Sequence, residues 1–375
     1  MIYLDHAATT PLPEAVADTM YDVLRHQFGN PSAQYPLEAK ELVEEARRTI
    51  AGALGCQPSA LHFTSCGTES DNWAIRAAAW QGRHTGRHII TTAVEHSAVL
   101  EPCRQLEQEG YEVTYLKPDR TGHISAGQVA EALREDTVLV SVMLVNNETG
   151  CLFPVADIAR LLKERWSRAL LHCDAVQGFL KVPCAPAGWG VDLMSLSAHK
   201  LGGPKGIGAL YVRPDLRNLR PLLAGGGQEE GLRSGTEATA QIAGFAKAVA
   251  LRQEGLEEKL AHMARIKAYC RERLLSIPGV VPVGGGEAPH ILAVSLVGYP
   301  SANVINDLGS QGICLSAGSA CHRGKASRGY AALGLDKRTA AGVLRLSFGP
   351  ETTEGDIDAL YEALLRHKNT RFSML

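Results

Sequence analysis

The stretch Ala169-Leu170-Leu171-His172-Cys173-Asp174-Ala175-Val176-Gln177 is a short apolar run that ends on a carboxylate. A run of this length, bounded by polar residues, reads as a strand buried on both faces. To either side, similar runs stand at 60–63, 88–93, 112–116, 138–144, 192–196 and 208–213, making seven strand candidates. Helical patterns fill the gaps at 69–81, 97–109, 127–134 and 154–167. In the last, Val155, Ile158, Leu161 and Leu162 recur at helical spacing behind Pro154, a good first-turn residue. Strands alternating with helices predict an α/β fold with a mostly parallel seven-stranded sheet sandwiched by helices. In such folds ligands bind beyond the carboxyl ends of the strands, where Asp174 falls.

The remaining chain has a different texture. An amphipathic helix is expected over 36–54, with Leu37, Leu42, Val43, Ile50 and Leu54 on one side and Gly55 as its stop. A charged helix over 254–275 leads through Gly284-Gly285-Gly286 to a strand at 291–297, a loop at 314–329, a short strand at 343–348 and a last helix at 354–368. The expected organisation is a large domain over 15–250 and a smaller α/β domain formed by 1–14 and 251–375. With 375 residues the chain is long enough for both and needs no disulfide or metal staple.

Lysine and arginine number 38 against 40 acidic residues, a formal net charge of −2. That balance argues against a nucleic-acid or anionic-membrane binder working by bulk charge. No apolar run approaches the roughly 20 residues of a membrane span, and Met1-Ile2-Tyr3-Leu4-Asp5-His6 has no signal-peptide pattern. Nine cysteines, at 56, 66, 103, 151, 173, 184, 270, 314 and 321, include no CxxC pair and no zinc-finger spacing. They read as reduced thiols of a cytoplasmic protein, most of them, like Cys151 and Cys173, small core residues. No metal ligand set is expected.

The glycine-rich stretches do not carry a nucleotide motif. No G-x-G-x-x-G follows the first strand of a βαβ unit, and Gly318–Lys325 (G-S-A-C-H-R-G-K) has one residue too many for a P-loop and no Ser/Thr after the lysine. Three other pieces together describe a phosphate-bearing aldehyde cofactor. Ser65-Cys66-Gly67-Thr68-Glu69-Ser70 opens a helix, so it is either an ordinary cap or an anion site of backbone N–H groups and a hydroxyl. Asp174, at a strand end, either caps the next helix or holds a protonated pyridine nitrogen. Ser195-Leu196-Ser197-Ala198-His199-Lys200 places a lysine past another strand end, before a glycine turn, as a Schiff-base candidate; Lys205 competes with it.

In this order, the pieces resemble the pyridoxal-phosphate enzymes of aminotransferase class V (fold type I), and within them the NifS/IscS-type cysteine desulfurases. The resemblance runs over nearly the whole chain. It includes Tyr3–Pro11, Gly29-Asn30-Pro31-Ser32, Phe63-Thr64-Ser65 running into Thr68–Asn72, Glu95-His96-Ser97-Ala98-Val99-Leu100 and Val145-Asn146-Asn147-Glu148-Thr149-Gly150. Asp174 with Gln177, Ser197-Ala198-His199-Lys200, Gly225-Gly226-Gly227-Gln228, Arg233-Ser234-Gly235-Thr236 and Gly318-Ser319-Ala320-Cys321 complete it.

The resemblance implies pyridoxal 5'-phosphate carried on Lys200, with Asp174 at the pyridine nitrogen, Gln177 and Asn147 on the ring-oxygen side and His96 stacked on the ring. Gly67, Thr68, Ser197 and His199 are expected to hold the phosphate. Thr236 is expected to reach it from the neighbouring subunit of a homodimer. Asn30 and Arg345 are expected to bind the substrate carboxylate, for which a guanidinium is better suited than an ammonium. The implied activity takes sulfur from L-cysteine, leaving L-alanine and a persulfide on Cys321 that passes to an acceptor protein, as in iron–sulfur cluster assembly or thiolation. Cys321 follows small residues and precedes His322, Arg323 and Lys325, groups that favour a thiolate. Cys314 reads as a core residue.

Three departures from the family pattern stand out. Cys66 occupies a position where glycine is expected, the basic loop after Cys321 is short, and no long tail follows the last helix before Leu375. The acceptor is then expected to differ from that of tailed relatives or to dock through the Cys321 loop. Rival readings are a selenocysteine lyase or class V aminotransferase with the same cradle and, from another class, a non-catalytic sulfur-relay or regulatory scaffold.

Overall fold

The computed structural model describes residues 1–33, 39–318 and 328–371. Cys321 and its neighbours 319–327 lie outside the described residues, as does Leu37 of the helix expected over 36–54. Strand β1 (Ile2–Tyr3) opens the chain, and the next seven strands build the central sheet: β2 (Leu61–Thr64), β3 (His88–Thr92), β4 (Glu112–Leu116), β5 (Thr137–Ser141), β6 (Leu170–Asp174), β7 (Leu193–Ser197) and β8 (Gly208–Val212). Their spatial order is β2-β8-β7-β6-β5-β3-β4. The pairs from β7 to β4 are all parallel, whereas β8 runs antiparallel to both of its neighbours.

Residues of β3, β5, β7 and β8 are buried throughout, which is why these strands are apolar on both faces instead of alternating. The strand expected over 138–144 ends at Ser141, three residues early. The Val142 and Leu144 N–H groups nevertheless still donate to the His172 and Asp174 carbonyls, so the chain continues beside β6 as it enters the site. The sheet is continued sideways from β3 by β4 on one flank and β5 on the other. This reversal of strand order opens a crevice at the carboxyl ends.

A second core gathers β9 (Val280–Pro282), β10 (Ile291–Leu296), β11 (Ile313–Cys314) and β12 (Val343–Ser347) with the helices Leu256–Leu275 and Glu354–Thr370. β9, β10 and β12 form an antiparallel sheet, and β1 returns to pair in parallel with β11. Leu4 is fully buried in this core. Cys314, expected as a core residue, is only half-buried, because its two-residue strand lies at a sheet margin with β1 as its one partner.

Three helices of ten or more residues carried no expectation: Glu14–His26, Thr239–Gln253 and Ser301–Ser310. Thr239–Gln253 is rich in alanine and buried on most of its faces, so it has little of the polar-apolar alternation that marks a surface helix. It is separated from Leu256–Leu275 by Gly255, whose φ of 59° lies in the left-handed region. No helix among the described residues is long and apolar enough to cross a membrane.

Candidate active site

The loops that leave β3, β5, β6 and β7 converge with the helix Gly67–Gly82 on a cavity of about 240 Å³. Gly67, Thr68, His96, Asn147, Asp174, Gln177, Ser197, His199, Lys200 and Arg345 all line it. Ten of the twelve described residues expected at the site are therefore brought together. The other two, Asn30 and Thr236, are exposed and line no part of it. Asn30 uses its side-chain carbonyl to accept the Ser32 N–H (2.9 Å), closing a local turn.

Gly67 begins its helix right after β2, and the first N–H of that helix with a backbone acceptor is that of Ser70 (to Cys66, 3.2 Å). The earlier N–H groups and the helix dipole make an anion site. Gly67 is required by close approach: a Cβ there would stand 2.8 Å from Val176 Cγ2 and 3.5 Å from Ser197 Cβ. Cys66, by contrast, is extended (φ −176°, ψ 170°), a conformation open to any residue, so cysteine in place of glycine introduces no strain. Cys66 lines the cavity.

Asp174 terminates β6, with Oδ1 accepting the Val176 N–H at 2.9 Å. Behind it lie two carboxyls to which the sequence reading gave no role, Asp71 and Glu95, both buried. Burial raises the pKa of all three carboxyls. The Asp174 charge pushes the other two further, and Glu95 reaches about 8. Backbone N–H donation from Val176 and the nearby His96 and Lys200 partly oppose the shift at Asp174. His172, driven down to about 3 by burial, is neutral and leaves this cluster without a cation of its own. Asp174, the one of the three with a backbone N–H and nearby cations favouring its charge, is the carboxylate suited to a positively charged ring nitrogen. Asp71 sits one helical turn after Gly67, so the i, i+4 spacing was the available signal.

The chain's first residues complete the walls. Lys200 Nζ donates to the Ala7 and Ala8 carbonyls at 2.8 and 2.7 Å. Gln177 Nε2 donates to the Ala7 carbonyl (2.8 Å), keeping one amide hydrogen for another acceptor. His96 caps the helix Ser97–Gln108 by accepting the Ala98 N–H on Nδ1 (3.2 Å), which places its proton on Nε2. His199, pushed down to about 4 by burial and by Lys200, Lys205 and Lys181, is neutral and contacts Thr9 Oγ1 through Nδ1 (3.1 Å). Lys205, the competing lysine, does not line the cavity.

Arg345, 1% exposed on β12, is held by Asp5 Oδ1 (2.8 Å) and the Asn147 carbonyl (2.9 Å), and its Nε is buried with no partner among the described residues. It offers a clamped guanidinium with donors to spare for an incoming carboxylate. The whole donor set therefore fits a phosphate-bearing pyridine aldehyde: an N-terminal helix cradle, a carboxylate floor, a lysine at the wall and an arginine for an acid substrate. Away from the site, His123, Cys151 and Glu287 bring ligand atoms within 4.8 Å of one another, though His123 Nε2 and Glu287 Oε1 already pair directly.

The family model for aminotransferase class-V matches residues 2–360. The chain is 41% identical over 356 residues to a putative cysteine desulfurase IscS 1 of Bacillus subtilis, covering 93% of each chain. It is likewise 41% identical over 374 residues to a cysteine desulfurase IscS of Vibrio campbellii (97% of this chain, 91% of the relative). Among solved structures, a NifS-like protein superposes with a TM-score of 0.93 at 35% identity, covering 99% of this chain and all of the other. With that fold, that cavity and those matches together, the chain belongs to the aminotransferase class-V family.

Proposed function

We propose that this protein is a pyridoxal-phosphate-dependent cysteine desulfurase, converting L-cysteine to L-alanine and passing the sulfur onward as a protein persulfide. The observation that carries the reading is the meeting, in one cavity, of Lys200, the Asp174 floor, the Gly67 helix end and the clamped Arg345. In that reading the Gly67 and Thr68 N–H groups, Ser197 and neutral His199 hold the coenzyme phosphate. Asp174 holds the ring nitrogen, Gln177 and Asn147 flank the ring-oxygen side and His96 covers the ring face. Bound pyridoxal phosphate supplies an electron sink for charge that develops at the substrate Cα. Lys200 would carry the coenzyme, and its amine would move the proton at that Cα. Arg345 orients the substrate through its carboxylate, with Asn30 assisting when substrate is present. The Cys321 thiolate attacks the substrate sulfur, taking it as a persulfide while the three-carbon remainder is protonated to alanine.

We further propose a homodimer in which Thr236, exposed on its loop, reaches the partner's phosphate site; exposed Leu222 and Leu223 nearby in sequence support a covered face there. The division into a large domain (15–250) and a smaller one (1–14 with 251–375) is our reading of the two cores, supported by the return of Leu4 to the second. The sulfur acceptor is a protein, iron–sulfur assembly one of its settings, and the working compartment is the cytoplasm, in keeping with eight free cysteines among the described residues.

Borohydride reduction of the coenzyme-loaded enzyme, followed by peptide mass spectrometry, tests the assignment of the lysine. The expected result is the coenzyme mass on the peptide containing Lys200, and no alanine from cysteine with Lys200→Ala. The mass on Lys205, or alanine formation undiminished in Lys200→Ala, would overturn it.

A further inference from the structure

Lys200 also borders a second cavity, of about 460 Å³. Its walls are basic to an unusual degree. Lys181 (4% exposed), His290 (1%) and His6 (5%) are buried there, and Arg252 and Lys259 join them. Carboxylates do not balance them. Among the described residues no carboxylate lies within 4 Å of Lys181, Arg252 or Lys259, and the one ion pair made by any of these groups joins His6 to the exposed Glu351 at 3.4 Å. Glu254, the other acid of the lining, is exposed.

Lys259 is served by the Leu251 carbonyl at 2.6 Å and by the Glu254 carbonyl, but the neutral partners of Lys181, His290 and Arg252 are few. Lys181 Nζ has Gln177 Oε1 at 3.1 Å, and His290 Nε2 points at the same oxygen from 3.4 Å. His290 Nδ1 is buried with no partner among the described residues. Arg252 reaches only the Leu180 carbonyl at 3.5 Å and the Met263 sulfur at 3.6 Å, both long contacts. Burial and mutual repulsion depress the pKa of Lys181 and His290 alike, with Arg252 acting on both. Buried polar groups in proteins are ordinarily hydrogen-bonded, and the Lys181 nitrogen faces one shared amide oxygen, so its other hydrogens have no acceptor among the described residues.

We propose that this cavity is a binding site for a small oxyanion, held by Lys181 and Arg252, with His290 taking up a proton on binding so that its Nδ1–H donates to one of the anion's oxygens. Its chemistry is shared by inorganic oxyanions and short organic acids. The site is separate from the coenzyme phosphate, which belongs to the Gly67 helix end, and from Arg345, which lines the other cavity. It stands whether or not the desulfurase reading does. Lys200 borders both cavities and Gln177 joins their walls, so an occupant here would lie directly against the groups that face the reaction.

Isothermal titration of the pyridoxal-phosphate-loaded enzyme with sulfate, phosphate and malonate, each against chloride of matched ionic strength, tests the site, since the coenzyme already fills the neighbouring anion cradle. The expected result is saturable binding of at least one probe at one per chain, weakened about tenfold or more in Lys181→Met and in Arg252→Gln. Binding of sulfate or phosphate identifies an inorganic occupant, and binding of malonate alone an organic acid. Lys181→Met keeps the side chain's length and leaves Gln177 Oε1 the His290 contact, and retained coenzyme absorbance reports that each variant is folded. Failure of all three probes to saturate, or equal binding by the parent and both variants, would overturn the proposal.

Discussion

Glu95 illustrates how single residues set the character of this site. Its Oε1 accepts Thr92 Oγ1–H (2.8 Å) and the Met143 N–H (3.0 Å), while Oε2 is buried without a partner, as suits a protonated carboxyl. Burial, the largest influence, and the Asp174 charge push its pKa up to about 8. Because the folded pKa lies above the unfolded one, the folded protein binds the extra proton between roughly pH 4.5 and 8. Stability from this group is therefore full at low pH and lost as pH rises through that window, at up to about 1.4 kcal/mol per pH unit. Glu95→Gln should remove the dependence. Thermal unfolding of the coenzyme-free protein at pH 6 and pH 8.5 should show the variant gaining on the parent toward pH 8.5, and an unchanged gap would contradict the assignment. Glu95 belongs to a motif that stands out in the sequence, Glu95–Leu100, yet its role was not legible there: only the fold shows that three acids share one dry floor.

Among the secondary-structure elements, the seven sheet strands and the helices between them were legible because each is short, apolar and punctuated. The antiparallel placement of β8 was not, since strand direction depends on the connection after Lys200 and leaves no mark on the residues of β8 itself. The helix Gly67–Gly82 was read two residues short at its start, where the cradle lies, because glycine and threonine are weak helix formers whose value here is close approach. Gly67→Ala tests that reading. The new Cβ, 2.8 Å from Val176 Cγ2, would crowd the anion site, so coenzyme affinity measured by fluorescence titration should fall about tenfold. Unaltered affinity would show that the cradle has slack.

Across the whole molecule, the site is assembled from both ends of the chain. Asp5 holds Arg345 across 340 residues, Ser316 Oγ donates to the same carboxylate at 3.0 Å, and the Ala7 and Ala8 carbonyls receive Lys200. No local pattern encodes such a closure, which is why Asp5 stands out in the sequence only as part of a motif and Asn30 was expected in a cavity it does not line. Arg345→Lys keeps the charge but loses the fork held between Asp5 and Asn147. Steady-state kinetics should show KM for cysteine raised roughly 10- to 100-fold, the loss of one charge-assisted bond. A change confined to kcat would place Arg345 outside carboxylate binding.

If a lysine-held coenzyme exposes a cysteine's sulfur to the Cys321 thiol, the sulfur itself can be followed. The loaded enzyme is incubated with sulfur-labelled cysteine and alkylated, and the label is mapped by mass spectrometry. The expected result is a labelled persulfide on Cys321, formed with one alanine per sulfur during a single turnover. Label on Cys66 or Cys314 instead, or no alanine at all, would contradict it.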